Sequence, residues 1–321
     1  MKIFPSDTKI DFIGKRFMAF ALSGFLILAS LFLLSTKGLN YGIDFTGGTL
    51  VEIKVPDAAP DLGALRNGLN DLGLGAMSIQ EFGAPDDLLI RMPEQEAGKE
   101  DRAEVQNQAL QTLKDYLGSQ FESVDYRRTE FVGPQVGEEL KKQGIYAVLF
   151  SILGMLAYIW FRFEWQFSVA AIVALIHDSL ATIGLFALTQ MEFNLSTVAA
   201  ILMIAGYSIN DTVVVFDRIR ENLRKFKKMP IFDLLNNAIN QTLSRTLMTS
   251  VTTLLALVAL WTFGGEVIRG FVNALIFGIL IGTYSSVFVA SPVLTFLNIR
   301  RNQENAQSNA DNNEKAEGNQ A

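Results

Sequence analysis

The sequence predicts a polytopic α-helical membrane protein, with six transmembrane helices and a ferredoxin-like α+β domain between helices 1 and 2. Three observations predict it. Half of the 321 residues are hydrophobic and only 19 % are charged, a low share for a soluble chain. Six apolar runs, at residues 17–36 and near 143–161, 167–189, 195–216, 243–263 and 270–297, are long enough to cross a bilayer as helices. The segment between the first two runs alternates strand-like and helix-like patterns.

Composition also excludes several chemistries. A net charge of −6 argues against a nucleic-acid partner. With no cysteine there is neither disulfide nor thiolate, and a single histidine argues against zinc catalysis. The chain contains no G-x-x-x-x-G-K-[ST] sequence. The expectation is a non-enzyme without metal or cofactor, its energy drawn from the membrane gradient or from a partner.

Residues 1–16 carry Lys2, Lys9, Lys15 and Arg16 and read as a cytoplasmic N-terminus. The run at 17–36 is longer than the apolar part of a signal peptide. No A-x-A-like cleavage site closes it before Thr36-Lys37-Gly38, so it reads as an uncleaved first helix.

Residues 37–139 read as the soluble insertion. β-Branched alternation marks a strand at 46–55, and leucines at helical spacing (Leu62, Leu65, Leu69, Leu72) mark a helix at 61–73. Strands are expected at 77–82 and 88–92, with a turn at Gly83-Ala84-Pro85-Asp86-Asp87. A helix at 99–117 carries Val105, Ala109, Leu113 and Leu117 on one face, and a last strand covers 121–132. The order β-α-β-β-α-β is the split-βαβ, ferredoxin-like pattern.

Residues 140–299 hold the five further helices, and 300–321, rich in Asn, Gln, Glu and Ala, read as a disordered tail. Loop charge orients the bundle. Arg162 lies in the loop after the second run, and Arg218, Arg220, Arg224, Lys225, Lys227 and Lys228 follow the fourth. Arg300 and Arg301 follow the sixth. The positive-inside rule then puts both termini in the cytoplasm and the inserted domain outside. The base-rich stretch with Phe226 reads as an amphipathic surface segment, touching either anionic lipid or a cytoplasmic partner.

Within the fourth run sit Asn210 and Asp211, Asp211 roughly 10 Å from the run's charged end at Asp217. A carboxylate at membrane depth costs on the order of 3 kcal/mol, so it pairs, protonates or lines water. Asp211 shares a helical face with Tyr207 and Ser208, and Asn210 the next face with Gly206 and Asp217. Asp211 reads either as a titratable site in a proton or sodium pathway or as half of a structural ion pair. Arg245 is the expected counter-charge, or else a snorkelling anchor. Thr249, Thr252 and Thr253 continue its face, a stripe expected to look toward other helices. His177-Asp178 reads as a second relay station or a helix–helix hydrogen bond. In the sixth run Gly270, Ala274, Gly278, Gly282 and Ser286 recur every four residues, a close-packing pattern, and Asn273 is placed to bond across helices.

Several stretches resemble the SecF branch of the bacterial SecD/SecF family of Sec translocase subunits. They are YGIDFTGG at 41–48, FRFE at 161–164, ALIHD at 174–178, GYSINDTVVVFDRIR at 206–220 and SRTLMTS at 244–250. The resemblance covers nearly the whole chain except the last twenty or so residues. It implies a SecD partner with six helices of its own, a likeness to resistance-nodulation-division transporters, and a place in the bacterial inner membrane with the inserted domain periplasmic. It implies work beside the SecYEG channel, with YajC and YidC as neighbours, and use of the proton or sodium gradient to help an exported polypeptide leave the channel. The family's essential carboxylate falls on Asp211 and its essential arginine on Arg245, with Asn210 beside them. Asp178, His177 and Thr249 remain relay or packing positions. A passive scaffold for SecD and the channel is the other reading.

Overall fold

The structure is a computed structural model describing residues 8–55, 60–95, 102–297 and 299. Lys2, part of the expected helix at 99–117 and the expected tail at 300–321 lie outside the described residues. The chain forms two compact units. One is helical; the other holds Asn40–Ala147 and Glu192–Val198.

The second unit is built on a four-stranded antiparallel sheet, order β2-β3-β1-β4. Its strands are β1 (Gly48–Lys54), β2 (Ser78–Phe82), β3 (Ala84–Met92) and β4 (Asp125–Val132). With α3 (Leu62–Asp71) and α4 (Arg102–Gln120), this is the expected ferredoxin-like arrangement. Alternate residues Val51, Ile53 and Val55 meet Leu65, Leu69, Leu113 and Leu117 in a closed core. The first strand starts two residues later than expected, because Ile43–Thr46 makes one helical turn, α2. Gly47 and Gly48, at φ 71° and 112°, then swing the chain into β1. A Cβ on Gly48 would lie 2.5 Å from the Met92 carbonyl, so the pair makes the turn expected of it.

β3 begins at Ala84, four residues before the expected strand. Only Gly83, at φ 89°, makes the turn, and Phe82 pairs with Ala84. Asp86 and Asp87 are strand residues held by Lys54 at 3.0 and 3.9 Å across the ladder, so charge pairing overrides their turn preference. Near the other end of β3, Arg91 donates to Asn40 and to Glu192, both at 2.8 Å.

Among the described residues, six helices are long and apolar enough to cross a membrane. They are α1 (Arg16–Thr36), α5 (Pro134–Arg162), α6 (Trp165–Thr189), α7 (Leu195–Lys225), α8 (Ile231–Phe263) and α9 (Arg269–Ser285). α9 continues through a π-helical turn, Ser286–Ala290, to Phe296. Much of the expected base-rich loop is helix, because α7 runs on to Lys225 and α8 starts at Ile231.

Half or more of the α6, α7 and α9 spans is buried, against less than a fifth of α1, α5 and α8, so the first three form the centre. Phe12, Phe163, Phe167, Phe216, Leu223 and Leu234 belong to one apolar cluster, which gathers the start of α1, the α5–α6 turn, the end of α7 and the start of α8 at one end of the helical unit. There Asn236 accepts from the Phe12 and Ile13 amides at 2.9 Å, and Asn240 donates to the Ile10 carbonyl and accepts from its amide. These two asparagines, one turn apart on α8, hold the chain leading into α1.

Candidate functional site

α7 crosses the centre of the helical unit and turns Ile204, Ala205, Ser208, Ile209, Asp211 and Thr212 inward. Close approach of α9 makes this possible. A Cβ on Gly278 would lie 2.3 Å from two Ile204 side-chain atoms, and one on Gly282 would lie 3.1 Å from Ser208 Cβ. Gly278 and Gly282, within the four-residue row of small residues on the sixth span, thus form a packing surface for α7, whereas a Cβ on Gly270 in the same row would meet nothing.

Asp211 is 7 % exposed. Its Oδ1 accepts from Thr246 Oγ1 of α8 at 2.6 Å, and its Oδ2 from Ser286 Oγ at 2.6 Å. Ser286 opens the π-helical turn, and its carbonyl accepts from Ser291 Oγ at 2.9 Å. Such turns interrupt the regular backbone ladder and recur at functional sites.

A second carboxylate lies on the neighbouring helix. Asp178 of α6 is fully buried. Its Oδ2 accepts from Ser208 Oγ of α7 at 2.5 Å and from Ser285 Oγ of α9 at 2.7 Å. His177 Nδ1 lies 2.9 Å from its Oδ1. The other ring nitrogen of His177 has no hydrogen-bond partner among the described residues.

The expected site residues divide in two. Asp211, Asp178 and His177 lie inside the bundle, whereas Asn210, Arg245 and Thr249 are exposed on the surface of this chain. Among the described residues Arg245 makes no ion pair with Asp211; the next residue on α8, Thr246, takes that place. The threonine stripe, expected to look toward other helices, is left largely uncovered by the described helices of this chain. Thr249, Thr252 and Thr253 donate to carbonyls of their own helix, and the first two are exposed. Ser208 belongs to Asp178 rather than to Asp211, because their side chains leave α7 in different directions. Asn273 does bond across helices, accepting from Trp261 Nε1 at 3.0 Å.

Sequence reasoning missed Thr246 and Ser285 as ligands of the carboxylates, and read Ser286 only as a small residue. Hydroxyls in membrane helices commonly bond their own backbone, so their type alone marks no site. The usable signal was the pair Ser285-Ser286 on the face continuing Gly278 and Gly282.

A carboxylate held by hydroxyls differs chemically from one held by arginine. A hydroxyl both donates and accepts, so Thr246 and Ser286 can bond Asp211 in either protonation state by rotating. A guanidinium can only donate and would favour the ionised form.

Comparison with known proteins agrees with this architecture. The family described as "Protein export membrane protein SecD/SecF, C-terminal" matches residues 112–300, and the "SecD/SecF GG Motif" matches 32–55. The protein translocase subunit SecF of Rickettsia conorii is 43 % identical over 306 residues, 95 % of this chain and 97 % of that one. SecF of Cereibacter sphaeroides is 46 % identical over 316 residues, 97 % of this chain and 96 % of that one. The crystal structure of SecDF from Thermus thermophilus, described as a translocon-associated membrane protein, superposes with a TM-score of 0.81 at 37 % identity. That match covers 92 % of this chain but only 39 % of the SecDF chain, so this chain spans about two fifths of that relative's length. Matched across the GG turn, the spans and the carboxylate-bearing helices, this multi-pass membrane chain belongs to the SecD/SecF family, on its SecF side.

Proposed function

We propose that the chain is the SecF half of an ion-driven complex with SecD that assists Sec-dependent protein export. The observation that carries this is Asp211: a carboxylate within a membrane span, shielded from solvent, held by two hydroxyls and in no ion pair among the described residues. Protonation of Asp211, or neutralisation by sodium, removes its charge without breaking its hydroxyl contacts. Those bonds are then no longer charge-assisted, so α8 and the π-helical turn after α9, which supply them, repack at lower cost. A 100 mV potential supplies about 2.3 kcal/mol per charge moved, enough to bias a two-state element more than tenfold. No enzymatic step and no cofactor enter this cycle.

The partner reading rests on the exposed polar groups. Asn210, Arg245 and Thr249 lie on membrane-spanning helices yet are left uncovered by this chain. Polar groups at that depth are costly against lipid and stabilising against another helix, so SecD is the surface expected to cover them. Arg245 then serves the charge cycle across that interface. The complex works in the inner membrane beside SecYEG, with YajC and YidC as neighbours. Both termini are cytoplasmic, and the sheet unit lies in the periplasm, where it handles the emerging polypeptide. The clustering of the α1, α5, α7 and α8 ends that adjoin basic residues supports one shared cytoplasmic end.

The test is ion-dependent export in vesicles containing the SecDF complex, with Asp211→Asn and Arg245→Met. Loss of the stimulation with assembly intact is expected. Unchanged stimulation in both variants leaves only the scaffold reading, in which the two carboxylates hold helices together.

A further inference from the structure

At the end of the helical unit where α5 turns into α6, a cleft of about 460 Å³ opens between α5 and α7. It is lined by Arg162, Asp217, Arg220, Glu221, Arg224 and Lys225. Both acids are already matched: Asp217 pairs with Arg162 at 2.9 Å, and Glu221 with Arg218 at 2.8 Å. Arg220, Arg224 and Lys225 remain without a carboxylate among the described residues. Arg220 donates one N–H to the Arg162 carbonyl at 3.1 Å and keeps its other donors. Arg162 and Arg220 both lie over the ring of Phe163, at 5.0 and 5.2 Å, which fixes two guanidinium planes before any ligand arrives. Arg224 makes no ion pair or hydrogen bond among the described residues, and Lys225 lies over the Phe226 ring at 5.3 Å.

A second feature sets the depth of this cleft. Trp160 and Phe161 at the end of α5 and Trp165 at the start of α6, on either side of Arg162, are 72 %, 98 % and 54 % exposed. Large aromatic side chains left outward at the end of a membrane span belong at the headgroup level of the bilayer. The cleft beside them therefore faces headgroups. Three unmatched cations at that depth suit a phosphate ester that is anchored in the membrane and carries net negative charge.

We propose that this cleft is a specific seat for the phosphate of an anionic phospholipid, with Arg220, Arg224 and Lys225 as its ligands and Phe163 as the platform that orients Arg220. The site lies outside the carboxylate network, and the inference holds whether or not Asp211 couples to ions. A lipid bound there holds the end of α7 against the α5–α6 turn that carries Phe163, so its occupancy bears on the position of the helix that carries Asp211.

The test titrates phosphatidylglycerol against the SecDF complex and reads bound lipid by native mass spectrometry. R224Q/K225Q is compared with K227Q/K228Q, which removes the same charge from the same segment outside the cleft. Each cleft charge lost is expected to weaken the tightest binding step roughly fivefold, with K227Q/K228Q close to wild type. Equal weakening by the two double variants overturns the proposal in favour of diffuse attraction to the basic segment. No weakening by R224Q/K225Q also overturns it and leaves the cleft to an acidic protein partner. Should R224Q/K225Q not assemble, R224Q alone answers the question, since Arg224 supports no ion pair or hydrogen bond among the described residues. A parallel titration with inorganic phosphate separates the sources: binding as tight as that of the lipid overturns the membrane assignment.

Discussion

Ser285 and Ser286 are adjacent in the chain, yet they serve carboxylates on two different helices. Ser285 Oγ donates to Asp178 of α6 at 2.7 Å, and Ser286 Oγ donates to Asp211 of α7 at 2.6 Å. The α-helix ends at the first and the π-helical turn starts at the second. Any shift of α9 therefore reaches both acids together, which makes this pair the mechanical link between them.

Ser286→Ala leaves Asp211 with Thr246 as its one hydroxyl donor among the described residues. Hydrogen bonds between membrane helices average about 0.6 kcal/mol, so the purified protein is expected to lose about that much stability and remain assembled. Ion-dependent export is expected to fall further than stability does. Thermal unfolding and vesicle export on the same preparation check this, and a proportional loss of both would make Ser286 merely structural.

Asp178→Ala strips the acceptor from Ser208, Ser285 and His177 in a site closed to solvent. A cost of about 2 kcal/mol or more is expected from the stranded hydroxyls. Asp178→Asn keeps the shape and an acceptor oxygen, and is expected to export with normal ion dependence. If Asp178→Asn folds normally but abolishes that dependence, Asp178 is a relay station and not a brace.

Gly278→Ala places a methyl group against Ile204, where the present approach already leaves no room. Overpacking of this kind costs about 1–3 kcal/mol. Ile204→Ala in the same chain is expected to recover part of that loss. A double-mutant cycle on thermal stability measures the coupling, and simple additivity would show that α7 and α9 do not bear on each other there.

Arg91→Ala removes two charged or polar contacts in the sheet unit, those to Glu192 and Asn40. Hydrogen bonds to charged groups contribute about 1.5–3 kcal/mol. A loss in the lower half of that range is expected, since both partners keep some access to water. Hydrogen exchange is expected to rise first at Gly42 and Phe193, whose amides bond the carbonyls of Phe193 and Asn40.

Asp11 precedes α1 and accepts from the Gly14 amide and from Asn236 Nδ2, both at 2.8 Å. These donors, the Gly14 amide foremost, hold its carboxyl below the ordinary value of 3.8. The unfolded chain takes up the proton first as pH falls. Its contribution to docking the N-terminal segment is therefore whole above pH 3.8 and is lost as pH drops through the lower folded value. Limited proteolysis of the segment is expected to be flat from neutral pH down to that range, and Asp11→Asn is expected to remove the acid-induced rise.

The sequence alone determined the six spans, the order of the sheet unit, the GG turn and the burial of Asp211. All of these follow from apolar length, residue periodicity or the cost of charge in lipid, which are local or one-dimensional properties. Charge pairing across β1 and β3 moved the start of a strand past a turn signal, because Lys54 is distant in the chain from Asp86 and Asp87. Tertiary structure decided which side chains answer the two carboxylates. Arg245 and Thr246 are neighbours on α8, and their side chains leave the helix about 100° apart, so whether a cation or a hydroxyl reaches Asp211 depends on the rotation of α8 about its axis. Packing against α9, where Ser250 Oγ lies 2.6 Å from Thr283 Oγ1, bears on that rotation, and it is not written in the local sequence around Asp211.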